Sequence, residues 1–310
     1  MSTKAKRQRT SKVRWARLAM VAASILLLLL AVVLAAKWFT GLAGTALFLR
    51  EFPGHSQAPT GSAVGFPAWI GWQHFLNVFF LVLIIRTGWQ IRTDTRPKGH
   101  WTRNNRGLIR TKKAPTKISL YLWLHLSLDA LWILNGIIFV ILLFSTGHWQ
   151  RIVPTTWDIV PNALSAGLQY LALDWPTDDG WVNYNALQLM SYFVIVFIAA
   201  PMAFVTGLRM SALWPKQSSK LNRMYPIEFA RALHFPVMIY FVGFVIVHVA
   251  LVLATGALRN LNHMYASSNE DNWVGFWIFA ASLLVMVAAW FLTKPLFLGP
   301  VASLTGSVTR

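Results

Sequence analysis

The chain has 310 residues, 56% of them hydrophobic and only 12% charged, with 16 Trp and no Cys. A water-soluble domain carries about 25% charge, so this composition places the chain in a lipid membrane; the missing thiols exclude disulfides and thiolate-held iron–sulfur clusters. The net charge of +18 sits in basic blocks between apolar runs, with no soluble domain to present them, a pattern of positive-inside membrane topology that speaks against nucleic-acid binding.

Residues 1–17 hold seven Lys and Arg and no acid, and the apolar run 18–36 follows. A cleaved signal peptide has an apolar core of about 7–15 residues. This run is longer and shows no small-x-small cleavage site, so it predicts an uncleaved first transmembrane helix behind a basic cytoplasmic tail. Residues 37–67 are mixed and expected outside. A second helix is predicted over 68–91, with His74 and Arg86. The stretch 92–117 carries nine Lys and Arg against one Asp. A third helix over 118–146 carries His125 and Asp129. The connection 147–185 contains Asp158, Asp174, Asp178 and Asp179 with one Arg, and a short interfacial helix is expected over 157–173. Its acidic patch 174–179 reads either as a dock for a basic partner or as a solvated loop.

A fourth helix over 186–209 contains Pro201, and 210–231 is basic again. The fifth helix, 232–257, carries His234, Pro236 and His248. Residues 258–272 are short and mildly acidic, the sixth helix spans 273–292, and the tail returns to the basic side. This arrangement puts 22 Lys and Arg on segments 1–17, 92–117, 210–231 and 293–310, against Lys37, Arg50, Arg151 and Arg259 on the other side. The asymmetry predicts an all-α integral protein of the cell membrane with six transmembrane helices and both termini cytoplasmic.

Four helices are predicted to close in Thr-Gly: Thr87-Gly88, Thr146-Gly147, Thr206-Gly207 and Thr255-Gly256. Small residues let helices approach closely or leave room for a flat cofactor, and Gly also simply ends helices.

Of eight histidines, His55, His148 and His263 fall on outer connections and His100 on the basic loop. His148, at a helix end, is the best site candidate among these. The other four lie inside predicted helices. On the fifth helix, fourteen steps from His234 to His248 return to within about 40° of one face and climb about 21 Å. Depth then pairs His74 with His248 in the outer half of the membrane and His125 with His234 in the inner half. Two imidazoles at one level, from facing helices, are what bis-histidine ligation of a haem iron requires. A closed zinc site wants about four donors at one point and fits less well. A single intramembrane histidine also serves as a hydrogen-bonding or proton-relay group, so a transporter or proton-relay protein is the competing reading. A structural anchor without cofactor leaves the four histidines unexplained.

The motif Trp69-Ile-Gly-Trp-Gln-His74-Phe-Leu-Asn77 closing in Thr87-Gly88, the helix with His125, and His234-x13-His248 closing in Thr255-Gly256 together resemble the bacterial di-haem cytochrome b superfamily. These are the membrane subunits of nickel–iron hydrogenases, formate dehydrogenases and thiosulfate reductases. In that family one histidine comes from each of two early core helices and two come from the last. The resemblance covers 66–258 as a four-helix haem-binding core, with one extra helix at each end. It implies two haem b groups, a quinone, and a partner redox subunit of molybdenum or nickel–iron type. The chain is then an electron-transfer subunit of an oxidoreductase complex rather than a stand-alone enzyme. The extra first helix reverses the core relative to relatives that begin with it. Cytochrome bc complexes and ferric-reductase-like proteins place two histidines on each of two helices, unlike this chain.

Within that frame Asp129, four residues after His125 on the same helical face, is a candidate proton donor at a quinone site. A salt bridge or interhelical hydrogen bond is its alternative. Arg86, Arg231 and Lys117 either snorkel to the interface or bind haem propionates. Asn77 and Asn135 are expected to make interhelical hydrogen bonds. Pro236 is expected to bend the fifth helix near His234.

Overall fold

Lipid offers a backbone no hydrogen-bond partners, so a membrane-crossing segment satisfies its own amides as a helix. The computed structural model describes residues 3–105, 114–175, 179–215 and 217–309, with side chains from residue 14 onward. Among the described residues six helices are long and apolar enough to cross a bilayer: Arg14–Thr40, Ala68–Thr93, Leu120–Ser145, Ala186–Met210, Ile227–Ala254 and Val274–Leu292. Much of the basic tail 1–17 and of the basic loop 92–117, and Asp178 of the acidic patch, lie outside the described side chains.

In chain order, α1 (Thr3–Thr40) and α2 (Ala43–Glu51) precede α3 (Ala68–Thr93). Strands β1 (His100–Arg103) and β2 (Ile118–Ser119) lead into α4 (Leu120–Ser145). A single 3-10 turn at His148–Arg151 comes before α5 (Ile159–Leu171), the expected interfacial helix. The fourth span is α6 (Ala186–Phe193), a π-helical stretch Val194–Ala199, and α7 (Ala200–Met210). Then come α8 (Ser219–Met224), α9 (Ile227–Ala254), α10 (Ala257–Leu261), a π turn Asn262–Ala266, α11 (Val274–Leu292), α12 (Pro295–Ser303) and β3 (Gly306–Thr309).

Contacts divide the chain into two units. The first is Met1–Thr60 with Gln150–Tyr192. Ile159, Ala186 and Leu189 form its buried cluster. Its loop after α2 is stitched to the helices by polar groups: Gly54 N–H donates to Asn162 Oδ1 at 3.0 Å and Gly54 O accepts from Ala186 N–H at 2.9 Å. Arg151 donates to Gly180 O at 2.6 Å and lies over the Tyr184 ring.

The second unit is Gly61–Trp149 with Phe193–Arg310. Leu81, Ala199, Val237 and Phe241 form its buried apolar layer, with Trp132 packed against it. The Trp132 ring meets Phe241 edge-on at 6.2 Å, and its indole N–H donates to Asn77 Oδ1 at 2.6 Å. Pro201 stands just after the π-helical stretch; proline has no N–H to give, and the widened turn absorbs the break. Pro236 lies inside α9, which continues through it.

One element has no hydropathy signal. Strands of two to four residues form an antiparallel sheet in the order β2-β1-β3, pairing His100 with both Ser119 and Thr309. Trp101 Nε1 donates to Ala302 O at 3.0 Å, locking α12 onto it. Pairing β1 with β3 puts the connection after α3 and the segment after α11 at one end of the bundle. An even number of crossings must therefore separate them, as the four intervening spans supply.

Asn77→Ala leaves the Trp132 N–H without its partner in an apolar setting. Thermal unfolding in detergent is expected to shift down by an amount corresponding to about 1 kcal/mol. An unchanged midpoint would mean that the bond adds no stability.

Candidate functional site

Two pairs of imidazoles line the second unit at two levels, separated by the apolar layer. His74, on the first half of α3, and His248, near the end of α9, bring their ring centroids to 6.4 Å at an interplanar angle of 55°. His248 stacks on Phe244, one turn earlier, at 5.5 Å and 5°. His74 meets Tyr265 edge-on at 5.9 Å. Two imidazoles joined through one metal ion sit at about 6 Å between centroids, from two bonds of about 2 Å and about 1 Å from each nitrogen to its ring centre. The observed spacing fits that requirement.

His125 on α4 and His234 on α9 occupy the other level, toward the end of the bundle that carries the basic connections. Each is met by a threonine on the preceding membrane-spanning helix. Thr87 Oγ1 lies 2.9 Å from His125 Nδ1, and Thr206 Oγ1 lies 2.8 Å from His234 Nδ1. The glycine after each threonine faces the same ring: a Cβ on Gly88 would stand 3.3 Å from His125 Cε1, and one on Gly207 would stand 3.5 Å from His234 Cε1. The Thr-Gly pairs are therefore of two kinds. Thr146-Gly147 and Thr255-Gly256 close α4 and α9, with glycine φ of 77° and 121°. Thr87-Gly88 and Thr206-Gly207 lie inside α3 and α7 and serve histidines; the expectation that all four end helices is corrected here.

Asp129 Oδ2 lies 3.7 Å from His125 Nε2, and Asp129, His125 and His234 are within electrostatic reach of one another. Arg86 places its guanidinium 4.7 Å over the Trp290 ring. Arg92 does the same over Phe235, beside His234, at 4.2 Å. Arg231 is exposed on the first turns of α9, and Lys117 is exposed before β2. His148 is buried, with Nδ1 at 2.9 Å from Thr146 Oγ1 and its ring edge-on to Trp69. His263 stacks on Phe66 and pairs with Asn269 at 2.7 Å. His55 is exposed, and His100 belongs to β1.

Four buried polar atoms on α3 have no hydrogen-bond partner among the described residues: Gln73 Oε1, His74 Nδ1, Arg86 Nη1 and Gln90 Oε1. They fall at the two histidine levels. An orphaned polar atom in an apolar interior is destabilising, so their placement fits a polar-edged group bound at each level. A haem, with an iron for two imidazoles and propionates for a guanidinium, has that chemistry. Among the described residues no three His, Cys, Asp or Glu side chains converge, so a closed zinc site lacks its donor set. What sequence reasoning missed is the contact of Thr87 and Thr206 with the two imidazoles. The repeated Thr-Gly was the signal, read as room for close packing or a flat cofactor, or as a helix end.

The family model described as prokaryotic cytochrome b561 matches residues 65–267. The chain is 30% identical over 200 residues, 60% of its length and 88% of the relative's, to a protein of Azospira oryzae assigned as protein-methionine-sulfoxide reductase subunit YedZ1. No solved structure matches it.

Gly88→Val forces a branched side chain onto the His125 ring, whereas Gly136, on α4, has nothing within 4 Å of an added Cβ. The first variant is expected to lose about 1–3 kcal/mol and much of its monodisperse yield in detergent. Gly136→Val is expected to match the parent. Equal behaviour would mean that Gly88 makes no room for His125.

Proposed function

Because the chain belongs to the prokaryotic cytochrome b561 family, we propose that it holds two haem b groups and passes electrons between a membrane quinone and a partner oxidoreductase subunit. The observation that carries this reading is the pair of imidazole pairs at two levels of one bundle. His74 with His248 would hold one haem, and His125 with His234 the other. The bound haems supply reversible one-electron chemistry. The protein supplies ligation, spacing and a dry interior. Leu81, Val237 and Phe241, with Trp132 packed against them, put an apolar layer between the two levels, which would keep the dielectric low around the ligands.

Arg86, with a buried guanidinium nitrogen that has no hydrogen-bond partner among the described residues, would pair with a propionate; Arg231 would serve the same haem from the surface. Asp129, beside His125, would give or take the proton that accompanies quinone chemistry. The charge asymmetry of the sequence supports an orientation with the basic end of the bundle and both termini in the cytoplasm, in the cell membrane. His125 and His234 are then the inner pair. The relative's name makes a reductase of oxidised protein methionine the first partner class to test, alongside the molybdenum and nickel–iron oxidoreductases.

A dithionite-reduced spectrum of the detergent-purified protein is expected to show a sharp b-type α band, with two haems per chain by haemochrome assay. A spectrum without that band would favour the proton-relay reading instead. His74→Ala and His248→Ala should each remove the same haem, and His125→Ala and His234→Ala the other. If the His74 and His248 variants lose different haems, the pairing is wrong.

Asp129→Asn is expected to slow electron exchange between quinone and haem at least about tenfold, a modest share of what a positioned proton-transfer group contributes, with haem content unchanged. A full rate would remove Asp129 from the quinone site.

A further inference from the structure

We infer that Thr87 and Thr206 are positioning residues that fix the metal-facing nitrogen of His125 and His234 and lower the reduction potential of the haem these two histidines share. The inference rests on the di-haem reading above. Each hydroxyl has one proton to give. Thr87 Oγ1 lies 2.8 Å from Leu83 O and 3.0 Å from Ile84 O. Thr206 Oγ1 lies 2.6 Å from Met202 O and 3.0 Å from Ala203 O. With two carbonyls of its own helix in reach, each threonine gives its proton there, and what the oxygen then offers the imidazole in this reading is a lone pair. Nδ1 must then carry the hydrogen and donate it, which leaves the Nε2 lone pair as the metal ligand.

Water cannot stand in for either hydroxyl, because Thr87 is 0% and Thr206 2% exposed. The device occurs twice in the same form: threonine on one helix, histidine on the next spanning helix, glycine beneath the ring. An Nδ1–H that donates to a fixed oxygen makes the imidazole a stronger electron donor, and a stronger donor favours the ferric over the ferrous state. At the other level His74 Nδ1 has no hydrogen-bond partner among the described residues. His74 thus differs from His125 and His234 in the support given to its Nδ1.

The test is an optical redox titration of the purified protein and of Thr87→Val, Thr206→Val, Thr87→Ser and Thr206→Ser. The parent is expected to resolve two components of equal weight. Each Val variant should raise the midpoint of one component, the same one in both, and leave the other in place. Each Ser variant, which keeps the hydroxyl, should titrate like the parent. If a Val variant loses one haem while its Ser counterpart keeps both, the hydroxyl is again what holds the ring.

Unchanged midpoints in the Val variants, equal shifts of both components, or Ser behaving like Val would overturn the proposal. A parent with fewer than two haems per chain would instead overturn the di-haem reading itself, before any threonine variant is made.

Discussion

A polar side chain placed in hydrocarbon has to find a partner within the protein, and the second unit is built around that requirement. Trp132 can lie inside the bundle because Asn77, on a neighbouring helix, takes its N–H. His125 and His234 can be brought in because a threonine hydroxyl meets each Nδ1. The same threonines satisfy their own protons on backbone carbonyls of their own helices, so neither bond leaves a new polar atom stranded. What this provision omits is equally informative. The orphaned atoms on α3 gather at the two histidine levels, and among them the Arg86 guanidinium nitrogen is the one a propionate would complete.

The apolar layer gives the two levels their separation. Leu81 lies on α3 between His74 and Thr87, and Phe241 lies on α9 midway between His234 and His248. Both are buried, and Trp132 closes the layer from α4. A packed apolar layer of this kind would keep groups bound at the two levels apart. Pro236 sits between His234 and that layer, and α9 runs as one helix from Ile227 to Ala254. Both of its histidines therefore ride on one element.

Legibility in the sequence followed the range of the forces involved. The six spans are written in long apolar runs, because burial in lipid is a property of whole segments. The level of each histidine followed from helical rise once the spans were placed, and the structure brings His74 beside His248. The threonine–histidine bonds were not legible. They join residues 38 and 28 positions apart and depend on how two helices are rotated against each other. Hydropathy is silent on that rotation, and the Thr-Gly pairs inside helices look identical to those at helix ends. The sheet escaped for a different reason: β2 has only two residues, too few for any periodicity. The π-helical stretch ahead of Pro201 was visible only as a proline that a helix had to accommodate.

The small sheet has a consequence for biosynthesis. Trp101 and Ala302 are 201 residues apart, and β1 lies before four membrane crossings that β3 follows. At translation rates of about 5–20 residues per second, β1 waits at least about ten seconds before its second partner exists. During that interval its free edge, an open template for wrong pairing, is exposed at the membrane surface. The basic side chains around it, Lys98 and Arg103 among them, place like charge along that edge, which would disfavour its pairing with another copy.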